Sequence, residues 1–77
     1  MDLKKVQYVL AVSEQKSISK AAKKLYISQP ALSKYIITVE KELGVRLFDR
    51  KTTPLKLTYA GEKYVEAAKK ILSIEQK

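Results

Sequence analysis

Residues 17–33 read SISKAAKKLYISQPALS and contain the signals for two short helices joined by a tight turn. Ser17 is a favoured N-cap, and the apolar residues after it recur at i, i+3, i+4 and i+7, the spacing of one helical face. They are Ile18, Ala21, Ala22 and Leu25. Ser28 can cap a second helix with Pro30 in its first turn, where the missing N–H is not needed. Because only residues 26–28 separate the two helices, the stretch predicts a helix-turn-helix.

Amphipathic helices are predicted before and through this motif. Asp2 can cap a first helix, whose apolar residues have helical rather than alternating spacing. They are Leu3, Val6, Val9, Leu10 and Val12. The helix after Ser28 has an apolar stripe that covers about 60° of arc, and Gly44 is the residue expected to end this helix. The stripe consists of Leu32, Ile36, Val39 and Leu43. Both stripes are expected to face one core.

Alternating apolar residues around a cluster of turn formers predict a two-stranded β-hairpin over about residues 46–57. Segment 49–54, DRKTTP, lies between the two alternating stretches. It places two cations, Arg50 and Lys51, at an exposed tip. A helix-turn-helix at about residues 18–37 is therefore expected to be followed by a basic wing, within a DNA-binding domain that spans residues 1–58.

Thr58 is expected to cap a fourth helix, residues 59–77, which carries two apolar stripes. One is a heptad seam that consists of Ala60, Tyr64, Ala67, Ile71 and Ile74. The other consists of Val65, Ala68 and Leu72. One stripe can pack on the domain and leave the other for the same helix of a second copy. The expected dimer contacts are Tyr64, Ala67, Ala68, Ile71, Leu72 and Ile74. With no capping signal before its end, this helix is expected to be a truncated linker helix from a longer protein.

The composition favours one mainly α domain that attracts polyanions. A chain of 77 residues is too short for more than one domain. Sixteen Lys and Arg against eight Asp and Glu give a net charge of +8, which favours nucleic acid or an anionic membrane surface as the partner. The narrow apolar stripes are needed for a three-helix core, so they leave no wide face to enter a membrane. No signal peptide is evident, and we expect a cytoplasmic protein without membrane association.

The residue types argue against catalysis, a metal site or a cofactor. The chain has no cysteine and no histidine, which excludes disulfides, thiolate or imidazole ligands and any triad with a His base. Glu40 and Glu42 point apart on a helix and form no carboxylate pair. Glu40 is better suited to pairing with a nearby cation or capping a turn. We therefore expect no enzyme activity, no metal and no cofactor.

The outward face of the third helix carries groups suited to reading DNA. Gln29, at the helix N-terminus, can donate to and accept from an adenine edge in the major groove. Pro30 and Ala31 are compact enough to touch a thymine methyl group. The hydroxyls of Ser28 and Ser33, with the positive end of the helix, suit phosphate oxygens.

Further DNA contacts are expected on both sides of this face. Lys34 can reach a base or a phosphate, and Ile37 is a bulky apolar side chain that something should cover. Lys20 lies near the start of the helix expected to cross the DNA backbone. Cations and hydroxyls at the hairpin tip can enter a minor groove, which attracts positive side chains where it narrows. These are Arg50, Lys51, Thr52 and Thr53.

Two other readings stay open at this point. Any one of these residues is as well explained by an ordinary solvated surface, and a winged helix can bind protein instead of DNA. RNA is less suited, because A-form RNA hides its major groove from a protruding helix. The set as a whole, together with the basic hairpin, favours DNA.

The motifs resemble those of LysR-type bacterial transcription regulators, over essentially the whole chain and without a gap. The resemblance begins with residues 17–25 and 27–33. It continues through Ile36, Val39, Glu40, Leu43, Gly44, Val45, Leu47, Phe48, Arg50, Leu57, Thr58, Ala60 and Gly61. Many members carry arginine just before the wing proline, where this sequence has Thr53, and Lys51 is the candidate to replace it. Tyr35 stands where a longer polar or basic residue is common.

The resemblance implies a winged helix-turn-helix with a three-helix core, a two-stranded wing and a long linker helix. It implies that Gln29, Pro30, Ser33 and Lys34 face the major groove, with the wing around Arg50 at the minor groove. A homodimer would bind an interrupted inverted repeat of double-stranded DNA. In a full-length protein a tetramer and a small-molecule effector domain are expected, the latter after the linker helix.

Overall fold

The computed structural model describes the backbone of residues 3–75 and the side chains of residues 3–73. Over this range the elements are α1 Leu3–Gln15, α2 Ile18–Leu25, α3 Gln29–Leu43, β1 Phe48–Asp49, β2 Lys56–Leu57 and α4 Tyr59–Glu75. The two strands are antiparallel, and Phe48 lies opposite Leu57. Three helices, a short hairpin and a long last helix confirm the predicted mainly α, winged helix-turn-helix fold. The predicted cap Asp2 lies outside the described residues.

The helix ends follow the predicted caps. The hydroxyls of Ser17 and Ser28 each accept a hydrogen bond from the backbone N–H three residues later, at 3.1 and 3.2 Å. The Thr58 hydroxyl accepts from the N–H of Gly61 at 3.0 Å. α3 ends at Gly44, whose φ of 73° lies in the left-handed region that glycine enters without strain. Local sequence therefore sets where α2, α3 and α4 start and where α3 stops.

The turn of the helix-turn-helix uses a left-handed residue that is not glycine. Tyr26 has a φ of 59°, which costs an L-residue about 1–2 kcal/mol. Its side chain is 94% exposed and gains no packing in return. The turn also closes through the N–H of Ile27, which donates to the carbonyl of Ala22 at 3.0 Å. This conformation reverses the chain within three residues and lets α3 cross α2.

The core is formed by the inward stripes of all four helices and the base of the hairpin. Its fully buried large side chains are Val6, Val9, Val12, Leu32, Ile36, Leu47 and Phe48. The prediction that Leu43 belongs to this core is wrong, since 47% of its surface is exposed. Lys5 Nζ lies 2.6 Å from Glu42 Oε1, so the end of α3 runs beside the first turn of α1. Leu43, the last residue of α3, therefore lies at the rim of the core.

Backbone hydrogen bonds hold the hairpin against the helices. The N–H of Leu55 donates to the carbonyl of Lys16 at 3.1 Å, which ties the returning strand to the α1–α2 turn. The N–H of Thr58 donates to the carbonyl of Leu47 at 3.0 Å. α4 then crosses this carbonyl so closely that a Cβ on Gly61 would lie 2.0 Å from the Leu47 oxygen. The wing is thus fixed at its base and projects at its tip.

Candidate nucleic-acid interface

The predicted recognition residues form one outward face of α3. Gln29, the first residue of the helix, is exposed, as are Pro30, Ala31 and Lys34. Two of the predicted recognition residues are less exposed than the others. Ser33 is half-buried, and Ile37 is 42% exposed on the same side of the helix. The Ser28 hydroxyl serves as the helix cap, accepting from the N–H of Ala31, so its first role is structural.

A cleft brings the start of this face together with the hairpin. It is lined by Lys16, Ser17, Ile18, Ser19, Gln29, Arg50, Thr52, Thr53 and Leu55. The first residue of α3, the N-terminus of α2 and the hairpin tip therefore share one concave surface. Its lining combines hydroxyls, the exposed Lys16 and the positive end of α2, all of which are suited to phosphate oxygens. The sequence predicted Gln29, Arg50, Thr52 and Thr53 as separate DNA contacts, but it did not predict that Ser19 lies beside them.

The hairpin tip presents Lys51 and Thr53 to solvent. The N–H of Lys51 donates to Asp49 Oδ1 at 3.0 Å, which shapes the turn and leaves the side chain pointing away from the core. Thr52 is half-buried, and its hydroxyl donates to the carbonyl of Asp49 at 3.4 Å. The peptide bond between Thr53 and Pro54 is cis. Lys51 is thus the exposed cation of the tip.

The expectation that Arg50 is an exposed cation of the tip is wrong. Its guanidinium donates to Glu40, Nη2 to Oε1 at 2.8 Å and Nη1 to Oε2 at 3.1 Å, and 28% of the side chain is exposed. A bidentate pair of this kind holds the arginine head against a carboxylate rather than toward a partner. The physical reason is the shape of the hairpin, which turns residue 50 back toward α3.

Glu40 is the buried acidic residue to which this pair belongs. Its Oε2 also accepts from the N–H of Leu47 at 2.7 Å and of Phe48 at 3.3 Å. Burial raises the pKa of the Glu40 carboxyl, but the hydrogen bonds from Arg50 and from the two N–H groups, together with the Arg50 charge, outweigh it and hold the pKa below its ordinary value. The prediction that Glu40 pairs with a cation or caps a turn is confirmed, since it does both.

Two aromatic rings contact a cation of α1, Lys4. The rings of Tyr8 and Tyr35 pack with their centroids 4.7 Å apart, and Lys4 Nζ lies 5.7 and 6.0 Å from the two centroids. Such cation–π contacts orient an otherwise flexible ammonium. The contact of Lys4 with the two rings was not predicted from the sequence, although Lys4 and Tyr8 are four residues apart on one helix. Lys20, by contrast, is exposed on α2, as expected.

The stripes of α4 divide differently from the expectation. Ala68 is 2% exposed and Val65 8% exposed within the protein's own core, so the prediction that Ala68 contacts a partner is wrong. Tyr64 and Leu72 are partly buried and pack against the same core. Ala67 is exposed and Ile71 half-buried, while the side chain of Ile74 lies outside the described residues. α4 packs against α1, and its Val65–Ala68 stripe is the one that the core buries.

Two kinds of feature are absent from the described residues. Between residues 3 and 75 no helix combines the length and hydrophobicity needed to cross a membrane. No group of three or more potential metal-ligating side chains occurs in the same part of the chain.

These features together define a winged helix-turn-helix domain of the DNA-binding class. A profile of the family described as "Bacterial regulatory helix-turn-helix protein, lysR family" matches residues 3–62. The chain belongs to the lysR family of bacterial regulatory helix-turn-helix proteins. This membership confirms the resemblance drawn from the sequence, and with it the prediction that the chain is not an enzyme.

Similar proteins carry the same regulatory description. The HTH-type transcriptional regulator BsdA of Bacillus subtilis is 42% identical over 73 residues, which are 94% of this chain and 25% of BsdA. BenM of Acinetobacter baylyi, also named an HTH-type transcriptional regulator, is 44% identical over 73 residues, 95% of this chain and 24% of BenM. The chain therefore spans about a quarter of the length of these relatives.

Two similar solved structures contain DNA. The complex of BenM_DBD with catB site 1 DNA superposes with a TM-score of 0.92 at 43% identity, covering 99% of this chain and 83% of that one. The CbnR_DBD–DNA complex gives a TM-score of 0.88 at 34% identity, covering 99% of this chain and 87% of that one. The fold is therefore the same as that of domains that were solved on DNA.

Proposed function

We propose that this chain is the part of a LysR-type transcriptional regulator that binds double-stranded DNA with sequence specificity. The observation that carries the proposal is the shared cleft, in which Gln29 of α3 lies beside Thr52 and Thr53 of the hairpin. A protein that lays a helix in the major groove and a wing in the adjoining minor groove must hold both on one surface. The net charge of +8 supplies the attraction to phosphate.

In this proposal the N-terminal half of α3 reads base edges. Gln29, exposed at the first position of the helix, pairs with an adenine edge. Pro30 and Ala31, also exposed, pack on thymine methyl groups, and Ile37 is covered by the DNA. Lys34 and the half-buried Ser33 contact the phosphates beside them.

The wing and α2 supply contacts that are less dependent on sequence. Lys51 replaces the arginine that many family members carry before the wing proline, with Thr52 and Thr53 at the edge of the minor groove. Lys20 binds a phosphate where α2 crosses the backbone. Arg50 is excluded from this set because its guanidinium is held by Glu40.

Dimerisation through α4 completes the proposal. Two copies that pair along the exposed side of α4, with Ala67 and Ile71 in the contact and Tyr64, Leu72 and Ile74 flanking it, place two α3 helices on an interrupted inverted repeat. The chain spans about a quarter of the length of BsdA and BenM. For a protein of that full length, we propose a tetramer, a ligand-sensing domain and a cytoplasmic location.

The test is a fluorescence-anisotropy titration against an A/T-rich inverted-repeat duplex and a scrambled duplex, each at two salt concentrations. We expect tighter binding to the repeat, and a decrease of log affinity with log salt at a slope of about −0.9 per phosphate contact. Equal affinity for both duplexes would show a basic domain whose operator differs from the repeat. Absence of binding to either, with dimerisation confirmed, would favour a protein partner instead.

A further inference from the structure

We infer that Glu40 is a positioning residue for DNA binding, which holds the wing at a fixed angle to the recognition helix α3. The inference rests on the proposed function, since it concerns how two DNA-contacting elements act together. Glu40 itself is 8% exposed and faces the core, so it does not touch DNA. Its effect is exerted through the hairpin that it binds.

One carboxylate joins three consecutive parts of the chain. Glu40 belongs to α3, and its Oε2 accepts from the N–H groups of Leu47 and Phe48, where the chain enters β1. The same carboxylate accepts both terminal nitrogens of Arg50, the residue directly after β1. Arg50 in turn donates from Nη1 to the carbonyl of Phe48 at 3.4 Å. The start and the end of the outgoing strand are thus bound to one point on α3.

These bonds come immediately before the exposed tip. Lys51, the cation proposed to enter the minor groove, follows Arg50 directly, and its N–H is fixed by Asp49 Oδ1. Burial of Leu47 and Phe48 anchors the base of the hairpin but does not define the direction of the residues beyond it. The bidentate pair of Arg50 with Glu40 defines this direction, because two parallel hydrogen bonds fix orientation as well as distance. Loss of the carboxylate is therefore expected to free the tip while leaving the base in the core.

Glu40→Gln removes the carboxylate that binds the hairpin, with minimal change in side-chain volume. Four N–H groups converge on the Glu40 carboxylate, and a carboxamide offers one acceptor oxygen and adds two donors of its own. Donors would then face donors at Arg50. Glu42→Gln makes the same chemical change two residues away on α3, at an exposed carboxylate that pairs with Lys5 of α1. It is the matched control for charge and for composition.

The probe is the duplex that the wild-type chain selects from a randomised library, and two affinity ratios are measured with it on each protein. The flank ratio is the affinity for the duplex with A-tract flanks beside each half-site divided by that for the duplex with G·C flanks. The base ratio is the affinity for the duplex with the adenine assigned to Gln29 divided by that for the duplex in which this adenine is replaced. A-tracts narrow the minor groove and attract positive side chains, so the flank ratio reports the wing. The base ratio reports α3. A smaller folded fraction lowers all affinities equally and leaves both ratios unchanged, so a purely structural role of Glu40 would not alter them.

For Glu40→Gln we expect the flank ratio to fall to about one and the salt slope to flatten by about 0.9 per lost phosphate contact, with the base ratio retained. Glu42→Gln is expected to keep both ratios. In a Lys51→Ala background, which removes the tip cation, Glu40→Gln should have no further effect on the flank ratio, because both changes act through the wing.

If Glu40→Gln fails to fold, Arg50→Lys tests the same contact between α3 and the hairpin, since it keeps the positive charge and loses the bidentate hydrogen bonds to Glu40. It should also lower the flank ratio. A flank ratio that survives either substitution, or a flank and a base ratio that fall together, would overturn the inference. A wild-type chain that selects a duplex but has a flank ratio of about one would also overturn the inference, and in that case the proposed function stands. A wild-type chain that binds no duplex would instead remove the proposed function itself.

Discussion

A methyl group at position 61 is expected to collide with the backbone of the hairpin. A Cβ on Gly61 would lie 2.0 Å from the carbonyl oxygen and 2.9 Å from the carbonyl carbon of Leu47, with Leu57 Cδ2 also at 2.9 Å. The Leu47 peptide cannot move aside freely. Its N–H is bound by Glu40 at 2.7 Å, and its carbonyl accepts from Thr58 at 3.0 Å. Gly61→Ala must therefore displace α4 or break one of these bonds.

The cost of this change can be worked from its parts. Overpacking against a fixed neighbour costs up to about 3 kcal/mol. Loss of the hydrogen bond between Thr58 and Leu47 adds about 1 kcal/mol. The better helix propensity of alanine returns about 1 kcal/mol. The net loss of about 3 kcal/mol compares with a total stability of about 4–12 kcal/mol for a chain of this length. It corresponds to a Tm lower by about 12–24 °C.

The assay is urea and thermal unfolding followed by circular dichroism. Gly44→Ala is the matched control, because it adds the same methyl group at a glycine that has nothing within 4 Å of its Cβ position. There the cost is only the left-handed backbone, about 1–2 kcal/mol. If Gly61→Ala proves as stable as Gly44→Ala, the close crossing of α4 over Leu47 is wrong, and with it the account of what fixes the wing.

Three further predictions concern the buried carboxylate of Glu40 and the DNA contacts proposed for α2 and α3. Glu40→Gln should lower the free energy of unfolding by about 2 kcal/mol at neutral pH, because it leaves buried donors without acceptors. Since folding lowers the pKa of Glu40, the stabilisation is present above its ordinary value of 4.5 and is lost as the pH falls through the folded pKa. Urea titrations should thus show the two proteins converging in acid, and a constant gap would contradict an ionised Glu40. Gln29→Ala should reduce discrimination at one base pair per half-site by about 1–3 kcal/mol in competition binding, whereas a uniform loss on every sequence would contradict its assignment. Lys20→Ala should weaken all duplexes alike and flatten the salt slope by about one unit per protomer, and an unchanged slope would exclude a phosphate contact there.

The helices and most of the α3 face were predictable because they depend on local signals. Ser17, Ser28 and Thr58 cap their helices from positions that the sequence alone identifies. Gln29 is exposed because it lies opposite a stripe whose period can be counted. Leu43 could not be placed in this way, since its exposure depends on where α1 passes the end of α3. The same limit applies to Ala68, because two stripes of similar width compete for the core and only the packing of α4 on α1 decides between them.

The sequence by itself determined the family, the order of the elements and the polarity of each helix face. These follow from spacing along the chain, and spacing does not change on folding. Only the tertiary structure decided which cation of the wing stays exposed. Arg50 and Lys51 are neighbours of equal charge, and no local rule separates them. Folding brings Arg50 within 2.8 Å of a carboxylate ten residues earlier in the chain, where the pair escapes the cost of an unpaired buried charge, and it leaves Lys51 at the tip.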